Sequence, residues 1–333
     1  MKLKALAAVV AATPLMVACG SNQTAEVKEP FKLNGAGATF PAPLYSAWLG
    51  SFFKETGNTV NYQAVGSGAG VRQFNANTID FGASDGAVKD KDLPPSGMVQ
   101  IPMTGGAIVP AYFNPECEEV KMTQTQLADV YLGKITNWKE FGCPDRDILV
   151  VYRSDGSGTT KGFTNSLSAF SPEWKKNVGT GKAVSWPVGV GAKGNSGVAA
   201  QVQGQFGALG YVNYGYVKND KSGKLKQVSL QNKAGNFVTA NAETSSAGLS
   251  KIVLDDKLRG ADPNPEGANS YPIVSLTWIL AYPESKTGVK ETLSYMLSEE
   301  SQAKSDTLGY VPLPEDLRQK SLQAVEGINE KES

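Results

Sequence analysis

Short apolar runs alternate with amphipathic stretches along most of the chain, and glycine-rich turns separate them. The apolar runs predict strands at 60–65, 79–83, 148–153 and 272–282. Helical spacing of apolar residues predicts four helices. The first follows residue 41, the second follows the turn at 66–70 and ends at about residue 77, the third covers about 161–169 and the fourth covers 290–308. Strands that alternate with helices indicate the α/β fold class. The length of 333 residues favours two lobes over one.

The beginning of the chain has a different pattern. Lys2 and Lys4 precede the uncharged run 5–18. A basic start followed by an apolar run that is too short to span a bilayer is typical of an export signal. We therefore expect residues 1–18 to be a signal peptide, and we expect no other stretch to cross a membrane.

The end of this signal resembles a bacterial lipobox, in which the cysteine is lipidated and becomes the mature N-terminus. The segment is Leu-Met-Val-Ala-Cys, ending at Cys19, with Met16 where leucine is usual. We expect residues 19–31 to be a lipidated tether that anchors the protein to a membrane. Plain cleavage, with Cys19 lost or left inert, remains the alternative.

Composition narrows the chemistry that the chain can perform. The chain has 32 Lys and Arg, 32 Asp and Glu, three cysteines and no histidine. The lack of histidine excludes a Ser/His/Asp triad and His-ligated metals, so we expect no catalytic residues, no metal site and no cofactor. The balanced charge gives no basic surface for nucleic acid. Loss of residues 1–18 removes two lysines, leaving 30 basic against 32 acidic side chains, a net charge of −2.

Cys117 and Cys143 remain once the signal is removed. In an exported protein, an even pair of cysteines is more often bridged than free. We expect a disulfide between them, although two unpaired thiols remain the alternative.

Three glycine-rich turns each stand immediately before a predicted helix, at 35–41, 66–70 and 154–159. Free backbone N–H groups and the positive end of the helix dipole make such turns natural anion sites. Any one of them alone is as readily an ordinary N-cap. No P-loop, dinucleotide fingerprint or nucleophile elbow is completed at these turns.

Eight segments of the chain, three of which contain these turns, resemble segments of the phosphate-binding proteins of the high-affinity phosphate ABC transporter (the PstS family). The segments occur in family order along nearly the whole mature chain. They are GAGATFPAP at 35–43, GSGAG at 66–70, DFGASD at 80–85, YLGKI at 131–135 with Trp138, RSDGSGT at 153–159, WKKNVGTG at 174–181, WPVGVGAKGN at 186–195 and GALGYV at 207–212.

The resemblance implies a two-lobed periplasmic-binding-protein fold of type II, a venus flytrap with two interlobe crossover strands. Residues 32–108 plus 272–333 are expected to form lobe I, and residues 109–271 lobe II. The two crossings are expected near Ile108 and Tyr271.

The resemblance also implies the ligand contacts. Backbone N–H groups of Thr39 and Phe40, with the Thr39 hydroxyl, are expected to bind phosphate together with the Ser67 hydroxyl. A second set of expected contacts comes from lobe II. It consists of a donor turn at Ser157, Gly158 and Thr159, the Arg153 guanidinium, and Asp155 as the carboxylate that holds Arg153.

Asp85 is the expected acceptor that faces the ligand. A carboxylate beside an anion is repulsive unless the ligand brings a proton, and phosphate keeps a proton at neutral pH whereas sulfate does not. Asp85 would therefore reject sulfate by leaving a buried charge unpaired. The alternative is that Asp85 merely caps the segment that begins at Gly86.

The expected function is capture of inorganic phosphate in an interlobe cleft and its delivery to a membrane-embedded ABC phosphate permease. We expect an exported lipoprotein, periplasmic or on the cell surface, with a monomeric body. A phosphate sensor and a binder of a related oxyanion are the alternatives. A phosphate-ester hydrolase is disfavoured because no nucleophile–base pair is visible.

Overall fold

The computed structural model describes residues 29–331. The predicted signal peptide, Cys19 and most of the predicted tether lie outside the described residues. Within the described part of the chain, no helix is long and apolar enough to cross a membrane. The same residues contain no cluster of carboxylates and cysteines that could hold a metal ion.

One nine-stranded sheet organises the molecule, and its main strand order is β2-β1-β3-β12-β4-β8-β6-β7, with β9 pairing on β4. Parallel pairs occur at both ends, and β12 and β4 run antiparallel to their neighbours in the middle. The strands are β1 (Lys32–Gly37), β2 (Thr59–Ala64), β3 (Phe81–Ser84), β4 (Val99–Phe113), β6 (Leu149–Arg153), β7 (Val190–Ala192), β8 (Ala208–Asn213), β9 (Lys226–Gln227) and β12 (Val274–Ala281).

Two small sheets complete the strand set. The order β11-β10-β5 forms one, and β13 pairs with β14 in the other. Their bounds are β5 (Lys121–Met122), β10 (Ser229–Gln231), β11 (Phe237–Val238), β13 (Glu284–Lys286) and β14 (Asn329–Lys331).

Eleven α-helices and three 3₁₀ turns lie within residues 29–331. Helices α1 and α2 pack on β1–β3, and α6 packs on β6 and β8. The helices are α1 (Ala42–Thr56), α2 (Ser67–Asn75), α3 (Gln124–Tyr131), α4 (Gly158–Phe170), α5 (Pro172–Asn177), α6 (Gly194–Gly204), α7 (Tyr214–Lys218), α8 (Ala242–Leu249), α9 (Val289–Met296), α10 (Glu299–Ala303) and α11 (Glu315–Glu326). The 3₁₀ turns are Asp90–Asp92, Trp138–Phe141 and Asp306–Leu308.

The long strand β4 belongs to both halves of the sheet. It pairs with β12 up to Ala107 and with β8 from Ile108 onwards. The ladder with β12 bulges between Thr277 and Trp278, opposite the stretch that contains Pro102, which has no N–H to donate. The chain is therefore a two-lobed α/β body whose halves share one sheet.

The core is lined by large aromatic side chains. Four of the five tryptophans are buried, whereas Trp186 is half-buried and stacks on Tyr152 and Tyr211. The buried indole N–H groups have partners; Trp48, for example, donates to the Ser301 carbonyl at 2.6 Å. These tryptophans act as structural anchors, because polar ends satisfied by the backbone leave their apolar bodies to pack.

One predicted helix needs correction. The single helix expected over 290–308 is broken into α9, α10 and a 3₁₀ turn. Ser298 interrupts it with extended backbone and accepts from the Ser301 N–H as an N-cap. Helix α1 begins at Ala42, directly after its N-cap residue Pro41, where the sequence pattern predicts a helix.

The structure joins Cys117 and Cys143 in a disulfide, with Cα atoms 5.5 Å apart and a sequence separation of 26. We expect its removal by Cys117→Ser with Cys143→Ser to lower the free energy of unfolding by about 3 kcal/mol, because a loop of this length constrains the unfolded chain. Urea unfolding with and without a reductant measures this. Reductant should leave the double variant unaffected, and identical wild-type curves under both conditions would contradict a bridge.

Candidate anion-binding site

The three glycine-rich turns, at 35–41, 66–70 and 154–159, lie next to one another and are joined by backbone hydrogen bonds. The Gly66 N–H donates to the Gly37 carbonyl at 2.8 Å, which joins the first two turns. The Gly68 N–H donates to the Gly156 carbonyl at 2.7 Å, which joins the second to the third. A Cβ on Gly158 would lie 2.7 Å from both the Asp85 Cβ and the Ser67 Oγ. Only glycine allows this approach of the turns.

Five buried backbone N–H groups at these turns have no acceptor among residues 29–331. They belong to Thr39, Phe40, Ser67, Gly158 and Thr159. Buried N–H groups almost always have a partner, so a set without one indicates a place where a ligand supplies the acceptors. Ser67, Gly158 and Thr159 also stand in the first turns of α2 and α4, where the helix dipole favours negative charge.

Three tyrosine hydroxyls fix the first turn from behind. Tyr62 donates to the Ala38 carbonyl at 2.7 Å, Tyr216 to the Thr39 carbonyl at 2.6 Å, and Tyr310 to the Phe40 carbonyl at 2.8 Å. Burial raises the pKa of each phenol above its usual value, so the hydroxyls stay neutral donors. Because the carbonyls of Ala38, Thr39 and Phe40 are held in this way, the peptide N–H groups of Thr39 and Phe40 keep a fixed orientation.

Arg153 is the buried cation of the site, with its side chain 1% exposed. Its Nε and Nη2 donate to the two Asp155 carboxylate oxygens at 2.7 and 2.6 Å, a bidentate pair. Burial acts to raise the pKa of Asp155, but the hydrogen bond and charge of Arg153 outweigh it and lower that pKa. Nη1 lies 3.4 Å from the Thr159 hydroxyl, so the guanidinium reaches the third turn.

Asp85 directly follows β3 and is 4% exposed. Its Oδ2 lies 3.4 Å from the Ser67 hydroxyl and 3.3 Å from the Thr159 hydroxyl. Burial raises the pKa of Asp85 to about 6, although the Thr277 hydrogen bond and the charges of Arg153 and Lys182 act to lower it. The structure thus places a carboxyl group among hydrogen-bond donors, where it is the acceptor.

Ser157 has fewer free donors than the sequence suggested. Its N–H donates to the Lys182 carbonyl at 2.8 Å, and its hydroxyl oxygen caps α4 by accepting from the Thr160 N–H at 3.0 Å. Only its hydroxyl proton remains to contact a ligand. The backbone donors of the third turn are therefore those of Gly158 and Thr159.

Asn195 is a site residue that sequence reasoning missed. Its Nδ2 donates to the Thr39 hydroxyl at 2.8 Å and to the Thr159 hydroxyl at 3.0 Å. Because both hydroxyl oxygens accept from Asn195, their protons are free to point elsewhere. The available signal was the Gly-Asn pair that opens α6, with Gly194 at φ 74°.

Lys182 also escaped notice in the sequence. Its ammonium group donates to the Ser84 hydroxyl at 3.1 Å, next to Asp85. Burial lowers the pKa of Lys182 to about 8, and the neighbouring Lys161 acts in the same direction. No local pattern indicates this contact, because the two residues are 98 positions apart in the chain.

Hydrogen-bond donors dominate this cluster, and two of its charges, Arg153 and Asp155, neutralise each other. Such a set can hold a small oxyanion through neutral donors and one guanidinium, and a carboxyl group among these donors can accept a hydrogen bond from an oxyanion that still carries a proton. A two-lobed α/β body that encloses a site of this kind at the junction of its lobes is characteristic of the solute-binding proteins of membrane transporters.

Sequence comparison gives the family. The PBP superfamily domain profile matches residues 20–300. A protein from Pasteurella multocida named phosphate-binding protein PstS is 42% identical over 306 residues, covering 86% of this chain and 88% of the relative. One of the same name from Haemophilus influenzae is 40% identical, covering 86% and 90%. The chain belongs to the PstS family.

Solved structures agree on the fold. A protein from Clostridium perfringens, solved with bound phosphate, superposes with a TM-score of 0.64 at 23% identity, covering 85% of this chain and all of the other. A phosphate binding protein from Stenotrophomonas maltophilia gives a TM-score of 0.68 at 20% identity, covering 88% and 93%. At this level of identity the likeness concerns the two-lobed fold.

Proposed function

We propose that this chain captures inorganic phosphate between its lobes and delivers it to an ABC phosphate permease. The observation that carries the proposal is that five buried backbone N–H groups without an acceptor among residues 29–331 and a buried guanidinium gather around one ionisable carboxyl group. Phosphate offers several acceptor oxygens and at least one proton, which matches that set. The names of the relatives point to the same ligand.

The proposed ligand contacts are those that the sequence suggested, with Asn195 supporting two of them. Thr39 and Phe40 bind through N–H groups, and the Thr39 and Ser67 hydroxyls add donors. Arg153 supplies charge, held by Asp155, and Asp85 accepts the phosphate proton. The third turn contributes the Ser157 hydroxyl and the N–H groups of Gly158 and Thr159.

The proposed lobes are residues 32–108 with 272–333, and residues 109–271. The switch of β4 between partners at Ala107 and Ile108 supports the first crossing, and the start of β12 at Val274 supports one near Tyr271. Closure is then a hinge motion about these strands. The permease would recognise the closed form.

The remaining parts of the proposal concern location and chemistry. The protein is exported, with residues 1–18 as signal peptide and Cys19 as lipid anchor, and the monomeric body stays outside the inner membrane. It catalyses no reaction and needs no cofactor. A sensor of phosphate, or a binder of a related oxyanion such as arsenate, is the second candidate, because the site contacts only the oxygen atoms and the proton of its ligand.

Calorimetric titration of the purified protein, stripped of bound anion, tests the function. Saturable binding of one phosphate per chain is expected, with no release of phosphate from an ester such as p-nitrophenyl phosphate. Absence of phosphate binding would overturn the proposal. Hydrolysis of the ester would revive the enzyme alternative.

Gly158→Ala should weaken phosphate binding about tenfold to a hundredfold, because overpacking costs about 1–3 kcal/mol. The added Cβ would lie 2.7 Å from the Asp85 Cβ and 2.8 Å from its backbone nitrogen, across the cleft. The matched control is Gly50→Ala in α1, where nothing lies within 4 Å of the new Cβ. Calorimetry should find the control unchanged. Equal affinities for both variants would show that the lobes do not close this tightly.

A further inference from the structure

Thr277 is one of two polar residues, with Ser275, in the otherwise apolar strand β12. Every residue of β12 is buried, and Thr277 itself is 0% exposed. Its neighbours in the strand alternate, so that Ser275 and Thr277 share one face while Leu276 and Trp278 share the other. The face with the two hydroxyls is turned toward Asp85.

Both hydroxyls on this face contact Asp85. The Ser275 hydroxyl lies 3.0 Å from the Asp85 backbone carbonyl oxygen and 2.9 Å from that of Leu276, which share its proton, and the Thr277 hydroxyl donates to the Asp85 Oδ1 at 3.1 Å. The buried Tyr45 phenol also lies beside the Thr277 hydroxyl, but burial raises the pKa of Tyr45, so the phenol stays neutral. The Asp85 carboxylate is then the charged acceptor for the Thr277 proton, and this hydrogen bond favours a carboxylate over a neutral acid at Oδ1.

The two oxygens of Asp85 therefore have different surroundings. Oδ1 faces Thr277 in β12, whereas Oδ2 faces the Ser67 and Thr159 hydroxyls at the starts of α2 and α4. Those last two contacts are long, at 3.4 and 3.3 Å, and both partners belong to the turns that carry the unpaired N–H groups. Oδ2 is thus the oxygen turned toward the proposed ligand.

We propose that Thr277 is a positioning residue for anion selectivity, holding Asp85 ionised through Oδ1 so that Oδ2 can only accept the proton of bound phosphate. This inference rests on the proposed function and adds a residue that does not touch the ligand. Without the Thr277 donor, Asp85 takes up a proton more easily. A protonated Asp85 can donate to a sulfate oxygen, and the barrier against sulfate is lost.

The other titratable groups that face Asp85 keep their charge state where this change occurs. Arg153 is permanently charged. Lys182 has its pKa lowered by burial to about 8, so it remains protonated at pH 5–7. The phenols whose pKa values are raised by burial and by Asp85 stay neutral: Tyr45, Tyr62, Tyr216 and Tyr310. Asp85, at about 6, is the group that titrates in this range.

The experiment measures sulfate and phosphate affinity from pH 5 to pH 8 in wild type, Thr277→Val and Thr277→Ser. In wild type, sulfate binding should appear as the pH falls through the pKa of Asp85. In Thr277→Val the midpoint should move upward by about one pH unit, a tenfold change in the protonation equilibrium. Thr277→Ser retains the hydroxyl and should restore the wild-type midpoint.

Thr104→Val is the matched control. Thr104 is the register partner of Thr277 in β4, is 0% exposed, and donates to the Val311 carbonyl at 2.8 Å instead of to Asp85. The Thr104→Val variant also loses a buried threonine hydroxyl, but it should leave the pH midpoint of sulfate binding unchanged. Thr277→Ala, which removes the same donor with a smaller side chain, is measured beside Thr277→Val in case the valine variant does not fold.

Two failures are distinguishable. If wild type does not bind phosphate, the proposed function falls. If wild type binds phosphate but both Thr277 variants that lack the hydroxyl keep the wild-type sulfate midpoint, only the role of Thr277 is overturned. A shift in Thr104→Val equal to that in Thr277→Val would also overturn it.

Discussion

Arg153→Ala is expected to weaken phosphate binding on the order of a thousandfold, since removing one partner of a buried, hydrogen-bonded charge pair costs about 2–5 kcal/mol. Arg153 is the one buried cation paired bidentately within the site, and its loss also leaves the Asp155 carboxylate without its partner. That carboxylate would then repel the anion from inside the cleft. The measurement is phosphate affinity by calorimetry.

Arg318→Ala provides the matched control. Arg318 also forms a bidentate pair, with Glu315, and its side chain is 8% exposed, but it lies on α11 away from the turns. It should lower the thermal midpoint without changing phosphate affinity. An Arg153→Ala protein that binds phosphate within tenfold of wild type would contradict the assigned role.

Asp85→Asn should reduce the preference for phosphate over sulfate roughly a hundredfold or more, because an unsatisfied buried charge costs about 1–3 kcal/mol or more. Asparagine removes that charge and supplies an N–H donor that sulfate can use. Phosphate affinity should fall less than sulfate affinity rises, because the amide oxygen can still accept the phosphate proton.

Parallel titrations of both anions into wild type and Asp85→Asn at neutral pH measure this. The side chain is buried and bonded to Thr277, so the isosteric amide preserves its packing. Unchanged selectivity in the variant would show that Asp85 caps the following segment and does not read the ligand.

The positions of the three donor turns could be predicted from sequence, because a glycine-rich turn before a helix has a local signature. Thr39, Ser67 and Gly158 each stand in such a turn. Strand β6 also followed from a continuous apolar run, and β2 and β12 from runs in which apolar and polar residues alternate, each to within two residues at its ends. These elements could be predicted because each is formed by residues that are adjacent in sequence.

What could not be predicted depends on contacts between distant parts of the chain. Asn195 meets Thr39 across 156 positions, and Thr277 meets Asp85 across 192. Neither partner has a motif that indicates the other. In β12, the alternation of hydroxyl and apolar residues was a signal, but it shows only that one face is polar and not what that face contacts.

The pKa values of the site residues could not be predicted from the sequence either. A chain with no histidine has no side chain whose ordinary pKa lies between pH 5 and pH 8. Burial raises the pKa of Asp85 to about 6, which brings it into that range from below, and lowers the pKa of Lys182 to about 8, which brings it to the upper edge of the range. Binding should therefore depend on pH through the protein as well as through phosphate.

The overall charge gives no help to an anion, since the chain without residues 1–18 has a net charge of −2, with 30 basic and 32 acidic side chains. Affinity must then come from the local set of N–H groups, hydroxyls and one guanidinium. Salt should consequently change phosphate affinity little, because such buried contacts are weakly screened.

The central claim is that the enclosed donor set binds phosphate and that ionised Asp85 rejects sulfate. Titration of the purified wild-type protein with phosphate and with sulfate, at the same ionic strength and at pH 8, tests it most directly. At this pH Asp85, with its pKa raised to about 6, is ionised. We expect saturable binding of one phosphate per chain and no measurable sulfate binding. Equal affinity for the two anions would contradict it.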